Sequence, residues 1–200
     1  RRADCHASCT PLQLERRRNG ALTADQRDTL IVEYGRNPDP TIASLLWMLE
    51  DSRRMLLETV AGLDLATLDW EPAIGGNSIG SLLYHIAGVE MDWLFTEVLE
   101  QEPPSEIMAL FPSDMREEDG HLSRRRVEDL SLLEHRLAEV RLQLLATYAS
   151  MTPEDFRRVR SLDEYDVTPE WVLHHLLQDE AVHRGEIGMI KLMAAQAQPR

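Results

Sequence analysis

Long apolar runs are missing from this sequence. No stretch approaches the ~18 to 20 uninterrupted apolar residues that a membrane span needs, and the first residues are Arg-rich and polar rather than an apolar secretory core. A soluble, unexported, cytoplasmic protein is expected. Lysine is nearly absent, Lys191 being the only one, and 21 basic residues against 35 acidic ones leave a formal charge of −14. That balance argues against a nucleic-acid partner, because phosphate-backbone binders gather Lys and Arg where counterions are to be released. Cysteine is confined to Cys5 and Cys9, with His6 beside Cys5. A disulfide framework or closed zinc site needs more ligands at known spacings, so two reduced thiols on a mobile tail are the plainer reading.

What is present is enough for one domain: 200 residues, 43% of them hydrophobic, can bury a core without staples. Residues 1–36 read as a flexible extension. The first 20 show no sustained apolar period and close on the turn signal Asn19-Gly20, residues 23–34 read as a short helix, and residues 35–40 as a break. The domain itself is expected over residues 37–197.

Within it, four long helical patterns follow one another, and no segment of comparable length alternates with the period of a strand. The first starts with Asp39 as N-cap and Pro40 at the first helical position, and its apolar residues Ile42, Leu45, Leu46, Leu49, Leu56, Val60 and Leu63 keep a three-to-four spacing. Arg53 interrupts that stripe. Its stem is expected to pack while its head reaches solvent, with binding of an anionic substrate as the alternative. Asn77 or Ser78 caps the second helix, whose face is Ile79, Leu82, Ile86, Val89 and Trp93 and which is expected to run to about residue 101. The third is read over residues 127–150, and the fourth from Pro169, capped by Thr168, to about residue 195. A long acidic, Pro- and Arg-containing connection, residues 103–126, joins the second and third. Its length suits a crossover or a lid.

Steps of about 100° per residue put His85 at the edge of the second helix's apolar face. The same arithmetic places Asp179 and His183 among Val172, Leu176, Ile187 and Ile190 on the fourth. A buried lone carboxylate costs several kcal/mol, whereas a cation shared with imidazoles compensates its charge. Asp179 and His183 stand one turn apart, so both can reach one ion, and His85 facing them supplies a third ligand. Three ligands leave a position for water or substrate, as in catalytic sites. The plainer reading is a simple Asp179–His183 pair with His85 satisfied by a core hydroxyl or carbonyl. His175, one turn before Asp179, is either an outer partner or an alternate ligand. His174, His121 and His135 are expected on polar surfaces. Glu90 and Glu186 flank the inner faces, where either can orient a ligand or act as a base. Glu90 is the preferred candidate.

These residues resemble the DinB/YfiT-like family, including its branch of thiol-dependent transferases. The matching text is Trp70-Glu71-Pro72, residues 77–93 (NSIGSLLYHIAGVEMDW) and residues 168–187 (TPEWVLHHLLQDEAVHRGEI). The resemblance implies an all-α four-helix bundle of bacterial DinB/YfiT-like type, often a homodimer, with a metal triad at His85, Asp179 and His183. Most members have His at the position of Asp179. An oxygen donor there moves preference toward Mn, Fe or Ni over a pure His site, with Zn still possible. The function implied is a divalent-metal-dependent transferase or hydrolase acting on a small molecule, with a low-molecular-weight thiol as co-substrate. The competing reading is a stress-responsive metal-binding or scaffolding bundle without catalysis.

Overall fold

The computed structural model describes residues 30–73, 75–118 and 120–197. Their elements lie within one compact unit, Val32–Arg200. Cys5, His6, Cys9 and most of the helix expected at residues 23–34 lie outside the described residues, and residues 30–35 are not helical.

Helix α1, Pro40–Val60, begins as its sequence dictates: the Asp39 carboxylate accepts from the backbone N–H groups of Thr41 and Ile42 at 2.9 and 3.1 Å. Two of the four N–H groups a helix start leaves unpaired are thereby satisfied. A short turn, α2 (Leu65–Leu68), leads to α3 (Ile79–Asp92), capped by Ser78 through the Ser81 N–H. Beyond Asp92 the chain widens into a π turn, Trp93–Val98, closed by a bond from the Leu99 N–H to the Leu94 carbonyl. The helical run stops three residues short of the expected end.

The connection holds the turn α4 (Ser105–Met108) and a bridge between Arg116 and Leu122. Next come α5 (Leu130–Ala149), α6 (Pro153–Phe156), the two-residue strands β1 (Arg160–Ser161) and β2 (Asp166–Val167), and α7 (Pro169–Ala197). The β1–β2 pair is antiparallel with Arg160 opposite Val167. Strands of two residues are too short to show an alternating pattern, and the sequence reading missed them. α5 starts three residues later than expected because Val127 takes a positive φ of 65°, outside helical geometry, and Asp129 supplies the cap.

Four long helices make the bundle. α1 packs on α7 and α5, and α3 packs on α5 and α7, so consecutive long helices α1 and α3, like α5 and α7, stand at opposite corners. Connections that cross a bundle end must be long, which explains the segments carrying α2 and the β1–β2 pair. Between the helices lie Leu46, Leu49, Leu56, Leu82, Leu83, Leu137, Leu144, Tyr148 and Ile187, all essentially inaccessible. No helix among the described residues is long and apolar enough to cross a membrane.

Candidate metal centre

Facing turns of α3 and α7 bring the three expected ligands together. One ligand atom from each of His85, Asp179 and His183 lies within 4.8 Å of the others, a separation that a single ion can bridge. The His85 and His183 rings meet edge to face at 5.0 Å between centroids, and His183 Nε2 is 3.4 Å from Asp179 Oδ1. His85 is buried at 6% exposure, whereas the side chains of Asp179 and His183 each retain 18%. The pair is thus less enclosed than a place in the most buried stripe of α7 implied. The centre has a wall on α3 and an opening on α7.

Its electrostatics are those of a site prepared for a cation. Burial pushes the His85 imidazole down to about 4, against the pull of Asp179, so this ring is neutral at ordinary pH. Its Nδ1 is buried and without a hydrogen-bond partner, a polar atom that a coordinated ion or water would satisfy. His183 moves the other way: the hydrogen bond it donates to Asp179 raises it despite burial. Burial works against the Asp179 carboxylate, but His183 and the nearby imidazoles outweigh it and hold the group below its ordinary value. The donor set of two imidazole nitrogens and one carboxylate oxygen fits a divalent transition metal.

Glu186 supports this set. Its Oε2 accepts from His183 Nδ1 at 3.2 Å, which leaves Nε2, the nitrogen facing Asp179, as the donor atom toward an ion. Asn77, just ahead of α3, reaches Glu186 Oε1 at 3.4 Å. His175 is placed differently. Its ring sits 4.3 Å from Trp93 and stacks on Trp171 at 5.1 Å, and the triad does not include it.

Glu90 lies elsewhere too. It is 2% exposed and belongs to a buried network to which each long helix contributes one residue: Arg53 from α1, Glu90 from α3, Arg141 from α5 and Glu180 from α7. Arg141 grips Glu90 through Nε and Nη2 at 2.6 and 2.8 Å, and Arg53 Nη2 adds a bond at 2.7 Å. Both arginines also reach Glu180 Oε2, at 3.1 Å from Arg53 Nε and 3.0 Å from Arg141 Nη2. Their remaining donors go to the carbonyls of Leu137 and Leu49. Burial opposes the Glu90 charge, but Arg141 and Arg53 prevail and hold it below its ordinary value, a poor setting for a general base. The expectation that the Arg53 head reaches solvent, or meets an anionic substrate, is corrected: two carboxylates and a carbonyl consume it inside the bundle.

The DinB superfamily sequence profile matches residues 48–187, a span that contains all three candidate ligands. The chain belongs to the DinB superfamily. A solved structure described as a conserved protein from Enterococcus faecalis is similar at 20% identity and a TM-score of 0.62, covering 76% of this chain and 95% of that one. At that identity the likeness shows the fold alone. No curated protein matches the chain.

In this DinB superfamily member, part of the network was legible and overlooked. Glu180 follows Val172 and Leu176 at four-residue steps and precedes Ile187 by seven, so it occupies the α7 core stripe more squarely than Asp179. Arg141 stands four residues after Leu137 in the same way. The role of Glu186 was signalled only by its three-residue distance from His183. Gly88, one turn beyond His85, has a reason the sequence does not show. A Cβ there would fall 2.4 Å from Met115 Sδ, so the glycine lets the connection seat Met115 against α3 beside the centre.

Proposed function

We propose that the protein is a divalent-metal-dependent enzyme in which His85, Asp179 and His183 hold the ion and a small substrate enters from the exposed α7 side. The observation that carries this reading is the convergence of three ligand atoms within 4.8 Å at a centre whose α7 ligands stay partly open. A divalent ion bound there would lower the pKa of a coordinated thiol or water and polarise an electrophile. The chain's own contribution is to hold two imidazoles and an ionised carboxylate in place, with Glu186 orienting the His183 ring. The reaction class favoured is transfer to a low-molecular-weight thiol, or hydrolysis, in the cytoplasm. Mn, Fe, Ni and Zn all suit the mixed donor set.

The test has two parts. Elemental analysis of gently purified protein should find about one divalent ion per chain, and His183→Ala should lose it. Metal-loaded protein should then consume a small thiol in the presence of electrophilic substrates, and the His183→Ala variant should not. Stoichiometric metal with no turnover across thiol and hydrolytic substrates would leave the non-catalytic bundle as the better description. The same reading includes a homodimer, supported by an apolar stripe on the outer face of α7: Val182, Met189 and Leu192 are 67, 57 and 60% exposed at seven- and three-residue steps.

A further inference from the structure

At the start of α7 lies a cavity of about 550 Å³ that the proposed reaction does not use. Three aromatic side chains wall it, each from a different segment: Trp93 from the π turn, Tyr165 from the approach to β2, and Trp171 from the first turn of α7. Trp93 is 5.2 Å from Trp171 and 6.2 Å from Tyr165 between ring centroids, with interplanar angles of 33° and 27°. Trp171 and Tyr165 remain 46% and 43% exposed. Volume and lining match those of small-molecule sites.

The charges around the cavity select one sign of ligand. Asp166 is the only carboxylate among the lining residues, which include no arginine, lysine or histidine; the nearest basic ring in contact with the walls is His175, 4.3 Å from Trp93 and stacked on Trp171 at 5.1 Å. Behind Tyr165 stands a second carboxylate: the phenol donates to Glu97 Oε1 at 2.8 Å, while Glu97 Oε2 is buried without a partner. Burial and this contact push the Tyr165 hydroxyl up to about 12, so it stays protonated and its ring adds no charge of its own. The nearby arginines are already engaged, Arg157 with Glu170, Arg158 with Asp155 and Glu100, and Arg160 with Asp155. Aromatic faces backed by carboxylates attract cations and repel anions.

We propose that this cavity binds the ammonium group, protonated or alkylated, of a small organic cation. The half-exposed rings of Tyr165 and Trp171 offer π surface to the cation, Trp93 packs against both, and Asp166 supplies the rim charge. The lining is distinct from the metal ligands: none of His85, Asp179 and His183 lines the cavity, and Trp171 precedes Asp179 by two helical turns, or about 12 Å along α7.

Titration of the metal-free full chain with tetramethylammonium and choline, followed by calorimetry and tryptophan fluorescence, tests the proposal. Saturable binding of both is expected, at least about tenfold tighter than that of the neutral isostere 3,3-dimethyl-1-butanol. Trp171→Leu should abolish binding and Trp171→Phe should retain most of it, while Asp166→Asn should weaken choline by several-fold without affecting the alcohol. Trp171 is half exposed, so these variants should keep the parent far-UV spectrum. Equal affinity for choline and the alcohol would make the cavity merely apolar and overturn the proposal, as would no saturable response to either cation. Repeating the titration on metal-loaded protein should leave affinity unchanged, so failure of the metal reading would not imitate failure here.

Discussion

His85 and His183 share one centre yet respond to protons in opposite directions. Burial holds the native His85 near 4, well below the ordinary 6.5, so the unfolded chain binds the extra proton between those values. Its contribution to metal-free stability is therefore complete above about 6.5 and declines as pH falls toward 4. Replacing His85 with Leu should flatten that decline, as urea midpoints measured across this range would show. A parent and variant with parallel profiles would contradict the burial argument. His183 is raised, so its contribution is present at low pH and lost as pH rises through its native value. Metal uptake near neutral pH should accordingly displace protons from His183 and none from His85, measurable as proton release in buffers of different ionisation enthalpy. The carboxylates are separable in the same way. Asp179→Ala should weaken metal affinity by more than the roughly 10 to 100-fold that loss of an outer partner costs, whereas Glu186→Ala should fall within that range. Asp179→His should keep the site, and His175→Ala should leave stoichiometry unchanged. A larger loss at His175 than at Asp179 would overturn the ligand assignment.

Among the helices, the Arg53–Glu90–Arg141–Glu180 network ties all four together at their centre. Ion pairs in a dry interior are expensive to create, and their worth shows when one member is removed, leaving an uncompensated charge. Glu90→Ala and Arg141→Ala should each cost about 3 to 5 kcal/mol of unfolding free energy. A thermal or urea measurement showing less than about 1 kcal/mol would mean that water or rearrangement satisfies the remaining groups. Because Glu180 adjoins Asp179 on α7, the network also sets the rotation of that helix and hence the aim of its two ligands. Glu90→Gln, which preserves shape and one acceptor, should therefore retain metal stoichiometry even where stability falls. Loss of bound metal from a Glu90→Gln protein that stays folded would mean that the charge of the network, and not its shape alone, sets the aim of Asp179 and His183.

For the whole molecule, the outer face of α7 carries Val182, Gly185, Met189 and Leu192 at alternating three- and four-residue steps, the spacing by which two helices pack side by side. A Cβ at Gly185 would meet nothing within 4 Å, so a partner helix has room to approach. Light scattering should give twice the 22.9 kDa chain mass, and Val182→Glu with Leu192→Glu should return the mass to that of one chain. A parent protein already at the single-chain mass would remove the dimer. The charge of −14 favours solubility in either state.

Periodicity alone determined much of this protein. Four amphipathic stretches, with caps at Asp39, at Asn77 or Ser78, and at Thr168, specify helices because hydrogen bonding and side-chain spacing within a helix are local. The same arithmetic turns His85 inward and sets Asp179 one turn from His183, so the ligands of the candidate centre were readable before any packing was known. Contacts between helices obey no such local rule. Whether a carboxylate near an inner face meets an imidazole or a guanidinium depends on which helix is its neighbour and at what rotation, and that is why Glu186 meets His183 while Glu90, the preferred candidate, meets Arg53 and Arg141. Only the tertiary structure decided that Arg53 points inward, that α1 and α3 stand at opposite corners, and that Trp93, Tyr165 and Trp171 share one cavity. Those outcomes rest on long-range packing, where the burial of one charge is compensated by residues tens of positions away in the chain.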